Sequence, residues 1–262
     1  MKEISDMSSV KQLYRQELIK RAPYGLSGIE ASVESESDGI ENLMKNVLEK
    51  LGAEENRDFR LIIDPSGTKL HAIVNGEKIP YEKLLAVCCL NEMKNGRDIA
   101  VPYDAPMFLD ELAHIYSRKV YRYLSTPADN SDSPARRLAA KQVFVRDALF
   151  LSVKLLSIMK ERECKIKDLL NELPEKYIAS KTVSIDFSPA NLAGLVGQED
   201  VDFKNSLEGI RLIRSSGKLL IVPERSGEEV KILAEADTME AANELCADIT
   251  ELFNTASDKL SL

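Results

Sequence analysis

The sequence predicts an α/β fold, in which a mixed sheet is covered by helices, followed by a small α+β domain. From residue 59 onward, strand-like runs alternate with amphipathic helical segments, which is typical of such a sheet. The run Ile99–Pro102 is continuously apolar, as in a strand buried on both faces. We predict a helical N-terminal segment and linker over 1–58, the α/β domain over 59–178 and the α+β domain over 179–262.

Two helices are predicted in the N-terminal segment. Apolar residues at helical spacing predict one helix over 8–22 and a second over 39–53, with Gly52 as the C-cap of the second helix. The stretch Pro23–Gly39 between them is rich in Gly, Ser and Glu, and it predicts a loop or a disordered linker.

The remaining elements follow from periodicity and from turn residues. In the α/β segment the predicted strands are 59–64, 69–74, 97–102 and 119–124, and the predicted helices are 81–93, 106–117, 144–162 and 166–173. A further helix begins at Pro134, with Ser133 as its N-cap, because Pro suits the first helical position. In the last segment the predicted strands are 179–186, 209–214, 217–222 and 229–235, and the final helix is 238–254.

The composition argues against several classes of protein. A formal net charge of −8 disfavours general nucleic-acid binding, which needs clustered Lys and Arg against the phosphates. No apolar run reaches the roughly 18–20 residues that a membrane span requires. The four cysteines have no Cys-x-x-Cys spacing and there are only 2 histidines, which argues against structural zinc. Reduced thiols and an N-terminus without the apolar core of a signal peptide predict a cytoplasmic location.

The loop Asp64–Lys69 is the most informative stretch for function. It reads Asp-Pro-Ser-Gly-Thr-Lys and connects two predicted strands. Asp64, Ser66 and Thr68 place oxygen-bearing side chains at alternate positions, but only one of them is a carboxylate. Because Mg²⁺ is usually held by carboxylates together with phosphate oxygens, this is a poor ligand set. The alternative interpretation is a β-turn built on Pro65-Ser66-Gly67.

In its context of strand, loop, strand, turn and helix, this loop resembles the metal loop of the α-D-phosphohexomutases, the superfamily of phosphomannomutase and phosphoglucomutase. That family carries Asp-x-Asp-x-Asp-Arg at this place. The resemblance puts Asp64, Ser66 and Thr68 at the metal positions, so that one carboxylate of three remains, and Lys69 at the family's Arg. It therefore implies Mg²⁺ only if this loop still binds the ion, and it implies no other cofactor.

Three later stretches follow the family pattern in the same order along the chain, namely Phe144–Leu149, Ile166–Tyr177 and Leu207–Ala236. Residues 59–178 thus resemble the third domain of the family and residues 179–262 the fourth, while the helix 39–53 resembles the end of the second domain. We find no counterpart here of the first domain, which holds the phosphorylated serine in the family.

A closer resemblance is to the divergent mutase-like region at the C-terminus of sugar-phosphate nucleotidyltransferase/phosphomannomutase fusion proteins. It rests on Val101–Pro106, which follows the strand after the metal loop, and on Ile221–Val230. These stretches are similar to the patterns "vPv.aP" and "vlP…eEp" of that region.

The family's phosphate loop, Arg-Pro-Ser-Gly-Thr-Glu-Pro, is partly legible. Matching its Ser-Gly to Ser226-Gly227 leaves Arg225 one place late. A Ser-Gly turn can hold an anion with its backbone N–H groups, and Arg can bind a phosphate bidentately. Three glutamates around this arginine oppose a phosphate dianion, so the alternative is an acidic hairpin loop. The family's sugar-recognition motif, Gly-Glu-x-Ser-Gly-His, does not occur before Phe144.

From the resemblance we expect a divergent module of hexose-phosphate metabolism that is not catalytic alone, and we assign no catalytic residue. The expected ligand is a hexose phosphate, and the expected partner is a nucleotidyltransferase or another mutase domain; neither nucleic acid nor a membrane is expected. Two alternatives stay open. One is a true mutase fragment that a partner chain completes, and the other is a purely structural oligomerisation module.

Overall fold

The computed structural model describes residues 7–123, 133–185, 201–202, 209–223 and 228–260. Their contacts divide the chain into two compact units. The first unit comprises residues 7–101, 112–121 and 134–173, and the second comprises residues 102–111, 122–123, 133 and the described residues from 174 onward. No helix among the described residues is both long enough and apolar enough to cross a membrane.

The helices and strands follow one another in this order up to residue 123: α1 (Met7–Lys20), β1 (Ser32–Ser35), α2 (Asp38–Leu51), β2 (Phe59–Ile63), β3 (Leu70–Val74), β4 (Glu77–Ile79), α3 (Tyr81–Lys94), β5 (Ile99–Pro102), α4 (Phe108–Ile115) and β6 (Val120–Tyr123). The elements that follow are α5 (Ser133–Lys141), a 3₁₀ turn (Val143–Val145), α6 (Ala148–Glu161), α7 (Ile166–Leu170), β7 (Tyr177–Ser184), β8 (Val201–Asp202), β9 (Ile210–Arg214), β10 (Gly217–Pro223), β11 (Glu229–Ala236) and α8 (Met239–Leu260).

The first unit is built on a mixed four-stranded sheet in the order β1-β2-β3-β4. β1 runs parallel to β2, and the other two pairs are antiparallel. Every second residue of β2 and β3 is buried, which gives the sheet one apolar face. The helices α3 and α6 contact β3, and because α6 is buried along most of its length it forms the centre of the core. The predicted mixed sheet covered by helices is thus confirmed.

The predicted loop Pro23–Gly39 is wrong in its second half, because it contains β1 and the start of α2. Within β1, Ser32 pairs with Arg60 and Ser35 with Ile63, so the strand extends the sheet at its edge. The sequence Ser-Val-Glu-Ser offers one apolar residue only, and its partner strand lies far along the chain. A strand stabilised by such a distant partner leaves little local signal.

Two further expectations differ from the structure. β5 is buried, as predicted, but it pairs with β6 in a separate two-stranded sheet instead of continuing the four-stranded one. The predicted helix 144–162 is interrupted at its start, because the 3₁₀ turn ends at Val145 and α6 begins only after its N-cap, Asp147. An Asp in extended conformation accepts hydrogen bonds from the first helical N–H groups, so a helix can begin there but not continue through it.

The second unit contains a five-stranded antiparallel sheet in the order β7-β11-β10-β9-β8, with α8 packed against β7, β10 and β11. One face of this sheet and α8 enclose an apolar core that includes Leu219, Ile221 and Phe253. Leu220 and Leu233 point to a second cluster, which they form with Tyr103 and Met107. The predicted α+β ending is therefore observed, but it also uses residues from the chain segment 102–111.

A buried polar cluster fixes that segment within the second unit. The guanidinium of Arg122 donates to the carbonyl oxygens of Tyr103 (3.2 Å), Ala105 (2.8 Å) and Pro106 (2.9 Å), and to Asp110 Oδ2 (2.9 Å). Its side chain is 8% exposed. Because Arg is always charged and carries five donors, it can hold several carbonyls and a carboxylate at once. Arg122 thereby fixes the backbone turn before α4.

Candidate functional site: the loop at Asp64

The loop between β2 and β3 lies where antiparallel pairing ends, at the Ile63–Leu70 pair. Two backbone hydrogen bonds close it, from Asp64 N to Lys69 O (3.0 Å) and from Gly67 N to Asp64 O (2.9 Å). Gly67 has a φ of +70°, a left-handed conformation that Gly adopts without steric cost. The chain therefore makes a tight turn at Pro65-Ser66-Gly67, as the turn interpretation of the sequence requires.

The Asp64 carboxylate is occupied by donors of its own loop. Its Oδ1 accepts hydrogen bonds from the backbone N–H groups of Thr68 and Lys69, both at 2.7 Å. Its Oδ2 accepts from Thr68 Oγ1 at 3.2 Å and from Ser66 Oγ. The two hydroxyls are also hydrogen-bonded to each other at 2.7 Å. The side chains of Asp64, Ser66 and Thr68 are thus hydrogen-bonded to one another.

The pKa of Asp64 is lowered by this arrangement. Partial burial acts to raise it, but the hydrogen bonds from Lys69 N, Ser66 Oγ and both Thr68 donors outweigh burial. Hydrogen bonds to the charged form of a carboxylate favour ionisation. A carboxylate that is charged and already holds four donors behaves as an intramolecular acceptor, the role that Asp plays in an Asx-turn.

These loop residues do not fit Mg²⁺. The ion needs near-octahedral oxygen coordination. Here the oxygens of the single carboxylate already accept hydrogen bonds from N–H and O–H groups of the loop. Within the described ranges, no group of three His, Cys, Asp or Glu side chains could hold a metal ion. Lys69 follows the loop and its side chain is exposed, so it adds a positive charge beside the carboxylate.

The loop is docked onto the start of α6. The carbonyl oxygen of Gly67 accepts a hydrogen bond from Ala148 N at 2.9 Å. A Cβ at Gly67 would lie 3.3 Å from Leu149 Cδ1 and 3.5 Å from Ile40 Cδ1, so the space beside this residue is already filled. A glycine is needed at position 67 because its backbone is left-handed and because a Cβ would crowd Leu149 and Ile40. This close packing holds the loop in place.

Asp147 is a polar residue of this region whose structural role the sequence interpretation missed. Its Oδ1 accepts from Leu149 N (3.0 Å) and Phe150 N (3.1 Å), and its Oδ2 accepts from the hydroxyl of Tyr14 at 2.7 Å. Burial, with the hydrogen bond and negative charge of Asp147, raises the pKa of Tyr14. An Asp directly before an apolar helical run is the signal that could have identified this N-cap.

The predicted phosphate-loop residues Arg225, Ser226 and Gly227 lie outside the described residues. The strands on either side of them are β10 and β11, which pair antiparallel up to Pro223 and Val230. Phosphate binding by these three residues stays a prediction.

The chain has the fold of the α-D-phosphohexomutases. It superposes with a TM-score of 0.72 and 14% identity on a phosphoglucomutase/phosphomannomutase family protein from Burkholderia thailandensis, covering 94% of this chain and 64% of that one. An N-acetylglucosamine-phosphate mutase, a member of the α-D-phosphohexomutase superfamily, gives a TM-score of 0.60 at 12% identity and covers 91% and 65% of the two chains.

One curated relative extends the similarity to sequence. A probable phosphoglucosamine mutase from Methanococcoides burtonii is 26% identical over 219 residues, which are 78% of this chain and 48% of the relative. No family model matches the sequence. The chain thus spans about half the length of this curated relative and 64% of the Burkholderia protein. These similarities confirm the resemblance to the superfamily; the closer likeness to nucleotidyltransferase fusion proteins stays a prediction.

Proposed function

We propose that this chain is a divergent phosphohexomutase-like module that binds a hexose phosphate without Mg²⁺ and has no mutase activity alone. The observation that carries this proposal is the Asp64 carboxylate, whose two oxygens hold four donors of the same loop. Phosphoryl transfer depends on positioning and on neutralisation of developing charge, which a divalent metal usually supplies. Ser66 and Thr68 stand where the resemblance places two further carboxylates, and a hydroxyl does not replace their charge.

The expected ligand follows from the relatives. An N-acetylphosphoglucosamine mutase from Aspergillus fumigatus was solved in complex with GlcNAc-6P and magnesium, and the curated relative is a probable phosphoglucosamine mutase. We propose a hexose or hexosamine phosphate as the ligand of this chain, with Arg225, Ser226 and Gly227 as its phosphate contacts. The proposed location is the cytoplasm, which the four free cysteines support. We propose a sugar-phosphate nucleotidyltransferase as the partner.

A second candidate is a mutase that another chain or further residues complete. The observation in its favour is that the chain spans 48% of the length of the probable phosphoglucosamine mutase. In that case the residues missing from the Asp64 loop would have to come from elsewhere. Activity that appears only when a partner is added would favour this candidate over the first.

Titration calorimetry tests the proposal. Glucose 1-phosphate, mannose 1-phosphate and glucosamine 1-phosphate are each titrated into the protein with and without Mg²⁺. We expect binding of at least one of them with an affinity that Mg²⁺ does not change. Arg225→Ala should weaken it roughly tenfold, because one charged hydrogen-bonding partner of the phosphate is lost. An affinity that depends on Mg²⁺ would contradict the proposal, and no binding at all would favour the structural module.

The Asp64 loop is tested separately by Asp64→Asn. We expect this substitution to lower the free energy of unfolding by about 1–2 kcal/mol, since Thr68 N and Lys69 N lose a charged acceptor. Unfolding in urea is measured with and without Mg²⁺, and the ion should make no difference to the wild type. Asp58→Asn is the matched control, because Asp58 is an exposed residue just before β2. Stabilisation of the wild type by Mg²⁺ that the variant lacks would show that Asp64 is a metal ligand.

A further inference from the structure

A cavity of about 300 Å³ lies in the first unit, lined by residues of α1, α3, α5, α6 and the segments after α1 and α3. Five of the lining side chains are cationic, and they come from separate stretches of the chain: Lys20, Arg21, Arg97, Lys141 and Lys154. Two carboxylates, Glu92 and Glu161, also line it, so positive charge is in excess by three. A cavity of this size lies at the small end of ligand pockets.

A buried carboxylate, Glu92, holds two cations of this basic pocket in place. Glu92 is 5% exposed. Its carboxylate forms ion pairs with Lys154 Nζ at 2.7 Å and with an Arg97 Nη at 3.1 Å. Burial acts to raise the pKa of Glu92, but the hydrogen bonds and charges of Lys154 and Arg97 outweigh it and lower the pKa. One buried carboxylate thus positions two cations at the cavity, and a single negative charge cannot neutralise both.

Arg21 and Lys141 are two exposed cations of the basic pocket, and the charge of Arg21 also helps to lower the pKa of Glu17. Neither of them forms an ion pair with any of the described residues. The guanidinium carbon of Arg21 lies 5.8 Å from the ring centroid of Phe150, which in turn packs edge-on against Tyr14 at 5.5 Å. An aromatic face of this kind holds a guanidinium in place while leaving its donors available.

Part of the remaining wall of the basic pocket is apolar, and Gln142 adds a polar side chain to it. Val143, Phe144 and Phe150 line it beside the cations. A ligand with one strongly anionic group and a carbon skeleton would match both parts, because Arg and Lys bind the anion while aromatic and aliphatic side chains cover the skeleton. Four or more cationic side chains around a small cavity suit a dianion better than a monoanion.

We propose that the basic pocket binds the phosphate group of a small phosphorylated ligand, and that it does so independently of the loop at Arg225. Arg21 and Lys141 contact the phosphate, and the Glu92-anchored pair Lys154 and Arg97 completes the positive lining. The source of the phosphate is either a phosphate monoester, whose skeleton packs against Phe144 and Phe150, or free phosphate. This second binding site goes beyond the proposed hexose-phosphate function.

The test uses the full chain and three probes: inorganic phosphate, glucose 6-phosphate and glucose as the uncharged control. Binding is followed by calorimetry and by NMR shifts of the Arg21 and Lys141 amides. We expect both phosphates to bind with a Kd of about 1 mM or tighter, glucose not to bind, and the affinity to fall with added salt. Tighter binding of glucose 6-phosphate than of inorganic phosphate by the Arg225→Ala variant identifies a monoester as the ligand of the basic pocket, whereas equal affinities identify free phosphate.

Two pairs of substitutions test whether Arg21 and Lys141 contact the phosphate. Arg21→Ala combined with Lys141→Ala and introduced into the Arg225→Ala variant should weaken phosphate binding at least tenfold relative to Arg225→Ala alone. Arg57→Ala combined with Lys50→Ala in the same background removes two exposed cations of the same unit and should change nothing. Substitution of Lys154 is avoided because it would leave Glu92 buried with one partner fewer. The proposal would be overturned if Arg21→Ala/Lys141→Ala left the phosphate affinity of the Arg225→Ala variant unchanged, or if the wild type bound no phosphate at millimolar concentration. Loss of all phosphate binding in Arg225→Ala would do so as well.

Discussion

At the scale of single residues, Asp64 and Glu235 show how surroundings decide what a carboxylate does. Asp64 lies at a turn where four donors converge, so it is stabilised as a charged acceptor. Glu235 is 3% exposed; its Oε2 accepts from Met107 N at 2.8 Å, while its Oε1 has no hydrogen-bond partner in the described part of the chain. Burial raises the pKa of Glu235, and the hydrogen bonds from the backbone of Met107 and Phe108 only partly oppose it.

Glu235→Gln tests the cost of that buried charge. An acid whose pKa is raised by folding destabilises the folded state once it ionises, so the penalty is absent below the unfolded pKa of about 4.3 and complete above the folded pKa. We expect the free energy of unfolding of the variant, relative to wild type, to increase as the pH rises from the unfolded pKa through the raised folded pKa of Glu235. Urea unfolding of both proteins at a series of pH values measures this difference in the free energy of unfolding.

The control for this experiment is Glu229→Gln, which changes an exposed glutamate at the start of the same strand. Its stability relative to wild type should not depend on pH in this range. If Glu235→Gln were destabilising by the same amount at every pH, the carboxyl of Glu235 would be needed for packing or hydrogen bonding and its ionisation would carry no penalty.

At the scale of elements, α6 organises the first unit. Its N-terminus holds the Asp64 loop through Ala148 N and Gly67 O, and its N-cap Asp147 holds α1 through the hydroxyl of Tyr14. One carboxylate therefore caps a helix and binds a tyrosine that lies 133 positions before it in the chain. Substitution of Asp147 should affect more than the end of α6, since the N-cap, the Asp64 loop and α1 are all bound at the residues Asp147 and Ala148.

Asp147→Ala and Tyr14→Phe test this junction. Loss of the N-cap should cost about 1–2 kcal/mol, and loss of the Tyr14 hydroxyl about 0.5–1.5 kcal/mol. Combined, the two substitutions should cost less than their sum, because both remove the same hydrogen bond. Free energies of unfolding from urea titration give the coupling. Tyr24→Phe, at a tyrosine that is 72% exposed, is the control and should be neutral. Strict additivity would show that the Tyr14–Asp147 hydrogen bond contributes nothing in solution.

At the scale of the whole molecule, the two units are interleaved along the chain. Residues 102–111 and 122–123 belong to the second unit although residues of the first unit lie between and after them. Tyr103 and Met107 from this segment pack on Leu220 and Leu233, and Met107 N supplies a hydrogen bond to Glu235. The C-terminal sheet therefore depends on chain that lies far before it in the sequence.

A fragment comprising residues 174–262 tests that dependence. It should be much less stable than the same sheet in the full chain, by about 3 kcal/mol or more, because it exposes Leu220 and Leu233 and leaves Glu235 without its backbone donor. Chemical shifts and hydrogen exchange of the β10 and β11 amides measure this in the fragment and in the full chain. Equal protection in both would show that the segment 102–111 contributes nothing to the sheet.

The sequence by itself determined the class of fold and most of the elements. Hydrophobic periodicity located the strands β2, β3, β9, β10 and β11 and most of the helices, because these elements carry a complete apolar face of their own. It also identified the loop at Asp64 as a turn or a weak metal loop, with the residue types that Mg²⁺ does not favour.

Only the tertiary structure decided how these parts are used. β1 has one apolar residue and exists because β2 offers it a hydrogen-bonding edge, so no local pattern could reveal it. Whether the loop at Asp64 is a turn or a metal loop depended on which donors the folded loop places around the carboxylate. The cations of the basic pocket come from four separate stretches of sequence and converge only after folding, since the field at a site is the sum of charges placed by the whole fold.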